Sequence, residues 1–296
     1  MSGTIQDLSR YHEPVGQLFE QPRSLEEWER YRLSDAEVEH FHEYGYLSNV
    51  KLLEEDQIDQ LNKELEQITD PDHPGHHLFY EFHSNESADP NTTLFHSLGH
   101  WRITQGFHDV LWNPRFLMAA SQLLGNQSVR FWHDQLFCKP AKHGGVVAWH
   151  QDYSYWTRTE AMQHLTCWVA LDDSNQENGC LNYIPKSHQW GLLDRTELAG
   201  DMDGLMAQLD EEQRDQFAKP IPVEVKKGHC AFHHPLMVHG SRENFSDRSR
   251  RAFVLNVFAD GTYSATNEPL LKGVPVIPKG QKMDGRFFPL LYEAVT

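Results

Sequence analysis

Polar and apolar positions along the chain change period once, near residue 128. Upstream the spacing is helical. Ser34-Asp35-Ala36-Glu37 has the form of a capping box, and Gly45 marks the end of the helix it opens. In residues 54–68, Ile58, Leu61, Leu65 and Ile68 recur at intervals of three and four, the stripe of an amphipathic helix. Asn113-Pro114 is a cap followed by a first-turn proline. It predicts a third helix stopping at Gly125, with Leu117, Ala120 and Leu124 toward the core. Downstream the period is two. In SVRFWHDQLFCKP, the residues Val129, Phe131, His133, Gln135 and Phe137 fall on one face, Trp132 and Leu136 on the other. LTCWVALDD at 165–173, PIPVEVKKGHCAFHH at 220–234 and RAFVLNVFADG at 251–261 add further strands. Helices first and many short strands after predict a mainly β fold, a sandwich or jelly roll buttressed by N-terminal helices. Residues 1–32 read as an irregular polar arm lying on the body, and 33–296 as one domain. The acidic, helix-prone stretch 189–219 interrupts the strands, either as a lid or as an inert surface insertion.

Composition narrows the partners. The 296 residues carry 43 acidic against 26 basic side chains, a formal charge of −17. Such a surface repels phosphate backbones and argues against nucleic-acid binding. No run of about 18 apolar residues is present to span a bilayer. The opening MSGTIQDLSRYHEPVGQ has no apolar signal core, so the cytoplasm is the expected compartment. Cys138, Cys167, Cys180 and Cys230 lack metal-knuckle spacing and read as small buried hydrophobes in a reducing environment. A small molecule is the expected partner, and oligomeric state is not encoded in any pattern of the chain.

The chemistry begins at AWHQDYSYW, residues 148–156. Two apart on a strand, His150 and Asp152 would share a face and present a nitrogen and an oxygen at chelating separation. This is the one H-x-D or H-x-E in the chain, although roughly one is expected by chance. His239 ends an apolar stretch further on, and with the first two makes a two-histidine, one-carboxylate set that leaves half of an octahedral iron's positions open. Arg250 begins the returning strand, where a guanidinium can clamp a carboxylate, though a surface salt bridge is the commoner use. His233 and His234 are rival ligands beside His239. The histidines at 73, 76, 77, 83, 96 and 100 sit among Pro, Gly, Asn and Ser and read as a solvated loop.

Taken in order, LSDAEVEHFHEYGYL, NPRFLMAASQLLG, FCKP, WHQD, CWVALDDSNQENGCLNYIPKSH and HGSREN…RSRRAF resemble the phytanoyl-CoA dioxygenase family of non-haem iron, 2-oxoglutarate-dependent oxygenases. The resemblance runs from about residue 33 nearly to the end and implies a double-stranded β-helix of the cupin kind. It implies Fe(II) held by His150, Asp152 and His239, and 2-oxoglutarate held at its far carboxylate by Arg250 with Ser241. Trp168 and Gln151 match positions that contact the co-substrate, and Lys139 a lysine near the site. Core packing, an outward strand position and an exposed lysine are their respective bland readings. Asp172, Asn178, Gly179 and Pro185 match a structural link between strands. One departure is Gly228-His229-Cys230, where relatives carry Gly-Asp before the strand that leads to the distal histidine.

The implied reaction consumes O2 and 2-oxoglutarate, releases succinate and CO2, and hydroxylates a small organic molecule. An intact Asp152 favours hydroxylation over halogenation, which needs that position vacated for halide. Tyr153, Tyr155 and Trp156 would line a substrate pocket, or else pack in the core. Two readings compete with the oxygenase: another cupin-type metalloenzyme, such as an isomerase or lyase, and a catalytically silent jelly-roll binding protein.

Overall fold

The two periods build two layers in the computed structural model of the chain, which describes residues 5–199 and 201–294. The helices are α1 (Leu25–Glu29), α2 (Asp35–Tyr44), α3 (Glu55–Ile68), α4 (Gln105–Asp109), α5 (Pro114–Leu123) and α6 (Glu211–Phe217). Ser34 and Glu37 close the predicted capping box, and Gly45 ends α2 in the left-handed region. Asn113 Oδ1 accepts from the backbone N–H groups of Arg115 and Phe116 at the head of α5. The α3 stripe is wholly buried.

The strands are β1 (Tyr46–Lys51), β2 (Glu81–His83), β3 (Phe95–Leu98), β4 (Val129–Lys139), β5 (Val147–His150), β6 (Thr159–Glu160), β7 (His164–Ala170), β8 (Leu181–Tyr183), β9 (Ile221–Val223), β10 (His229–His233), β11 (His239–Ser241), β12 (Arg250–Ala259), β13 (Tyr263–Ser264) and β14 (Leu290–Tyr292). The large sheet runs β1-β10-β7-β12-β4-β3-β2, with β14 added to β4. A smaller sheet runs β5-β11-β8-β9. Leu181, Tyr183 and Val223 of the smaller sheet pack against Trp168, Ala231, Ala252 and Val254 of the larger. This is the expected antiparallel jelly roll, mainly β, with helices on the outer face of the large sheet.

Register decides which side chains reach the interior. Ala231, Trp168, Val254 and Gln135 form one row across four strands, and His233, Thr166, Asn256 and His133 the next. The residues between them, Phe232, Cys167 and Leu255, belong to the core under the helices. Both faces are buried, so apolar alternation along β4 carries no information about phase. The predicted face is broken there. His133 pairs with Asn256 and Phe131 with Val257, which leaves Trp132 as the extra residue of a bulge. Phe131 therefore packs on Trp101 toward the helices, with Val129 in the same core, while Trp132 joins His133, Gln135 and Phe137 inside.

The arm lies on the body. Asp109 accepts from the N–H groups of Val15, Gly16 and Leu18, and Arg102 pairs with Asp7 at 2.6 Å. Residues 189–219 are less helical than their composition suggested. Beyond α6 their described residues make only short turns, and Leu205, Leu209 and Phe217 bury against Trp149, Ile184 and Val238. The histidine-rich stretch is not uniformly solvated either. His96 and His100 are buried: β3 carries His96 into the large sheet, His100 opens the short 3-10 turn that follows, and Glu86 and Ser97 supply their polar partners. At Gly228 the turn before β10 needs glycine: φ is +79° and a Cβ would lie 2.6 Å from the Leu53 carbonyl oxygen. The departure at His229 leaves that turn intact. Among the described residues no helix is long and apolar enough to cross a membrane.

Candidate metal and co-substrate site

β5 ends at His150, and Asp152 opens a short 3-10 turn, so the two do not share a strand as their spacing suggested. Gln151 between them remains extended, which keeps both neighbours on one side. His239 begins β11 directly opposite His150. The Nδ1–H of His150 donates to Ala148 O at 2.8 Å and that of His239 to Met237 O at 2.9 Å. Those bonds fix the tautomers and leave both Nε2 lone pairs free. They lie 3.4 and 3.7 Å from Asp152 Oδ1, and one donor atom from each of the three residues fits within 4.8 Å of the others.

The other carboxylate oxygen of Asp152 is held from behind. Thr166 Oγ1 donates to Oδ2 at 2.6 Å and His233 Nε2 at 2.9 Å, while Tyr183 donates its hydroxyl to His233 Nδ1 at 2.9 Å. Burial alone would raise the Asp152 pKa. The surrounding imidazoles, His233 through its hydrogen bond among them, outweigh it and hold the carboxyl well below its usual range. Burial also holds His239 well below the usual histidine value. The rival His233 thus supports Asp152 instead of joining the cluster.

Arg250 opens β12 and is 2 % exposed. Its guanidinium lies 5.3 Å from the Trp168 ring centre, Nη2 donates to Gly179 O at 2.7 Å, and Nε has no partner. Burial brings its pKa down to about 10. Gly179 can offer that carbonyl because it is glycine: φ is +79° and a Cβ would sit 2.4 Å from Arg242 O. Ser241 Oγ accepts from Lys139 Nζ at 2.7 Å. The lysine also donates to Ser241 O and Arg242 O, so its three protons are all engaged. It is fully buried, not exposed, and acts as a strut under Ser241.

His150, Asp152, His239, Trp168, Ser241, Arg250, Tyr155 and Trp156 line one cavity of about 800 Å³. Gln151, Lys139 and Tyr153 do not. The Gln151 amide is consumed by Gly191 O, Leu236 O and Leu193 N, and Tyr153 donates to Thr159 O while its ring packs in the core. Sequence reasoning missed Thr166, which alternates with Trp168 on β7 and so was within reach of the period. It also missed Tyr183, whose role depends on a pairing between sheets.

An antiparallel jelly roll with two imidazoles and a carboxylate converging at its mouth defines a cupin-like protein with a candidate mononuclear metal centre. The phytanoyl-CoA dioxygenase (PhyH) family model matches residues 41–252, and the chain belongs to that family. Phytanoyl-CoA dioxygenase of Arabidopsis thaliana is 28% identical over 257 residues, 76% of this chain and 88% of that one. The Bos taurus phytanoyl-CoA dioxygenase domain-containing protein 1 is 32% identical over 164 residues, 55% of this chain. That alignment spans 56% of the bovine relative's length. Among solved structures, the non-heme alpha-ketoglutarate-dependent carbocyclase SnoK from nogalamycin biosynthesis superposes with a TM-score of 0.70 at 21% identity, covering 88% of this chain and 96% of that one.

Proposed function

We propose that the protein is an Fe(II)- and 2-oxoglutarate-dependent dioxygenase that hydroxylates a small organic molecule. The observation that carries this reading is the conjunction, in one cavity, of the His150–Asp152–His239 cluster and a buried guanidinium with no carboxylate of its own. Two nitrogens and one oxygen are the donor set suited to ferrous iron. A buried, uncompensated Arg250 suits an anionic group on a ligand, and among the described residues no carboxylate lies within salt-bridge reach of it. His150, Asp152 and His239 would hold the metal, with Arg250 and Ser241 gripping the far carboxylate of 2-oxoglutarate beside Trp168. When bound, this pair of cofactors supplies the oxidation: O2 and 2-oxoglutarate are consumed, succinate and CO2 leave, and a C–H bond becomes C–OH.

The chain's own contribution is placement. The backbone carbonyls of Ala148 and Met237 accept the Nδ1 protons and turn both Nε2 atoms toward one point. Thr166 and His233 restrain Asp152 to a single ligating oxygen. Trp168 covers the guanidinium, which strengthens its attraction for an acid by excluding water. Succinate release under O2 with a panel of small-molecule substrates tests the reading. Turnover that depends on iron and is abolished in Asp152→Ala supports it, and equal turnover in parent and variant removes the cluster from the reaction.

A further inference from the structure

Across the large sheet, the row that holds Asp152 does not stop there. His233 and Thr166 grip its Oδ2, and the same row continues through Asn256 on β12 to His133 on β4. Asn256 Nδ2 lies 3.3 Å from His133 Nδ1. An amide nitrogen only donates, so Nδ1 accepts and the ring proton is assigned to Nε2. His133 is 2 % exposed and lines the cavity, and among the described residues its Nε2 has no hydrogen-bond partner. Trp156 stands edge-on to it at 5.7 Å between ring centres, with Trp132 at 5.1 Å on the other side.

The cavity is also graded. Apart from the metal and co-substrate end, much of its charge stands exposed at the rim, on Arg158, Arg195, Glu197, Glu268 and Lys272. Near His133 the lining is largely apolar and buried, with Trp132, Trp156, Leu98 and Val254 beside the polar Gln135 and Thr166. Burial depresses the His133 pKa to about 3, so the imidazole stays neutral across the physiological range.

We propose that His133, positioned by Asn256, is the substrate-orienting donor of this cavity, and that the substrate is a neutral alicyclic or aromatic molecule whose hydroxyl or carbonyl oxygen accepts from His133 Nε2. Resting on the dioxygenase reading, this names the class of molecule that would be oxidised at the metal end of the same row. A charged group at that depth would lose its hydration and find no free counter-ion, because the carboxylate of the row, Asp152, is already held by Thr166 and His233, whereas a neutral oxygen gains the bond an unfilled N–H lacks.

The experiment measures binding of a matched set to the whole chain by ligand-observed NMR: 2-decalone, 2-decalol, decahydro-2-naphthoate and 2-aminodecalin. The ketone and alcohol are expected to bind, and the acid and amine to bind at least about tenfold more weakly. His133→Phe should weaken the ketone about three- to tenfold, the loss of one hydrogen bond. His133→Gln, which keeps an N–H, should recover part of that loss, and Asn256→Leu should resemble His133→Phe. Anaerobic addition of 2-oxoglutarate to the Fe(II)-loaded proteins is read separately. A chelate band common to parent and His133→Phe shows an intact metal site, so its absence from the parent counts against the dioxygenase reading and not against His133. Equal binding of neutral and charged members, or an unchanged ketone affinity in a folded His133→Phe, overturns the inference.

Discussion

His233 Nε2 donates to Asp152 Oδ2 at 2.9 Å, although His233 contributes nothing to the three-residue cluster itself. The bond fixes which oxygen faces the two imidazoles. Removing it in His233→Ala is expected to weaken metal binding about 10- to 100-fold, the usual effect of losing a group that orients a ligand. Anaerobic Fe(II) or Co(II) titration measures it, and a parent-like affinity would reduce His233 to packing.

Arg250 is buried, and among the described residues its guanidinium bonds the Gly179 carbonyl and lies over the Trp168 face with no carboxylate to pair with. Arg250→Met should therefore leave the ligand-free protein as stable as the parent or more so, while costing about 3–5 kcal/mol of 2-oxoglutarate binding, a hundredfold or more. Thermal denaturation with and without 2-oxoglutarate separates the two effects. A variant still stabilised by the keto acid as strongly as the parent would remove Arg250 from its site.

Asp134 is fully buried on β4 and accepts from the N–H groups of Gly99 and Trp101 at 2.8 Å each. Burial outweighs those bonds and pushes its pKa up to about 7. The native state thus holds this proton more tightly than the unfolded chain. Its contribution to stability is greatest below the ordinary carboxylate pKa, declines as pH rises toward about 7, and levels off above. Urea midpoints compared at pH 5 and pH 8 should show a decline in the parent that Asp134→Asn flattens. Parallel pH profiles would contradict the assignment.

Tyr155 donates its hydroxyl to Thr196 O, and the Arg195 guanidinium covers its ring at 4.6 Å. Residues 195–199 border the cavity, and Leu198 O accepts from Ala148 N on the edge strand β5. If this border is the lid read from residues 189–219, Tyr155→Phe should speed amide hydrogen exchange around Thr196 while metal affinity holds. Unchanged exchange would make the segment a fixed wall.

What could be read from the chain divides along physical lines. The capped helices were readable because Ser34, Glu37, Asn113 and Pro114 act within a few residues of themselves. His150, Asp152, His239 and Arg250, which the family resemblance singled out where spacing alone left rivals, line one cavity. The bulge at Trp132 was not readable, since a strand buried on both faces has no polar phase to shift. The burial of Lys139 and the diversion of the Gln151 amide into the 191–193 loop were likewise unreadable, because both depend on carbonyls distant in sequence. Asp152 reached the cluster from a 3-10 turn where a strand was expected, and the side-chain direction survived because Gln151 kept its extended backbone.

On the proposed reading, one cavity holds both a ferrous ion and 2-oxoglutarate. Anaerobic titration of the Fe(II)-loaded protein with 2-oxoglutarate tests it most directly. A visible metal-to-ligand charge-transfer band is expected to grow to a stoichiometric end point in the parent, to be lost in His239→Ala, and to require far more 2-oxoglutarate in Arg250→Met. A parent protein that takes up Fe(II) yet develops no band and shows no affinity for 2-oxoglutarate would contradict it.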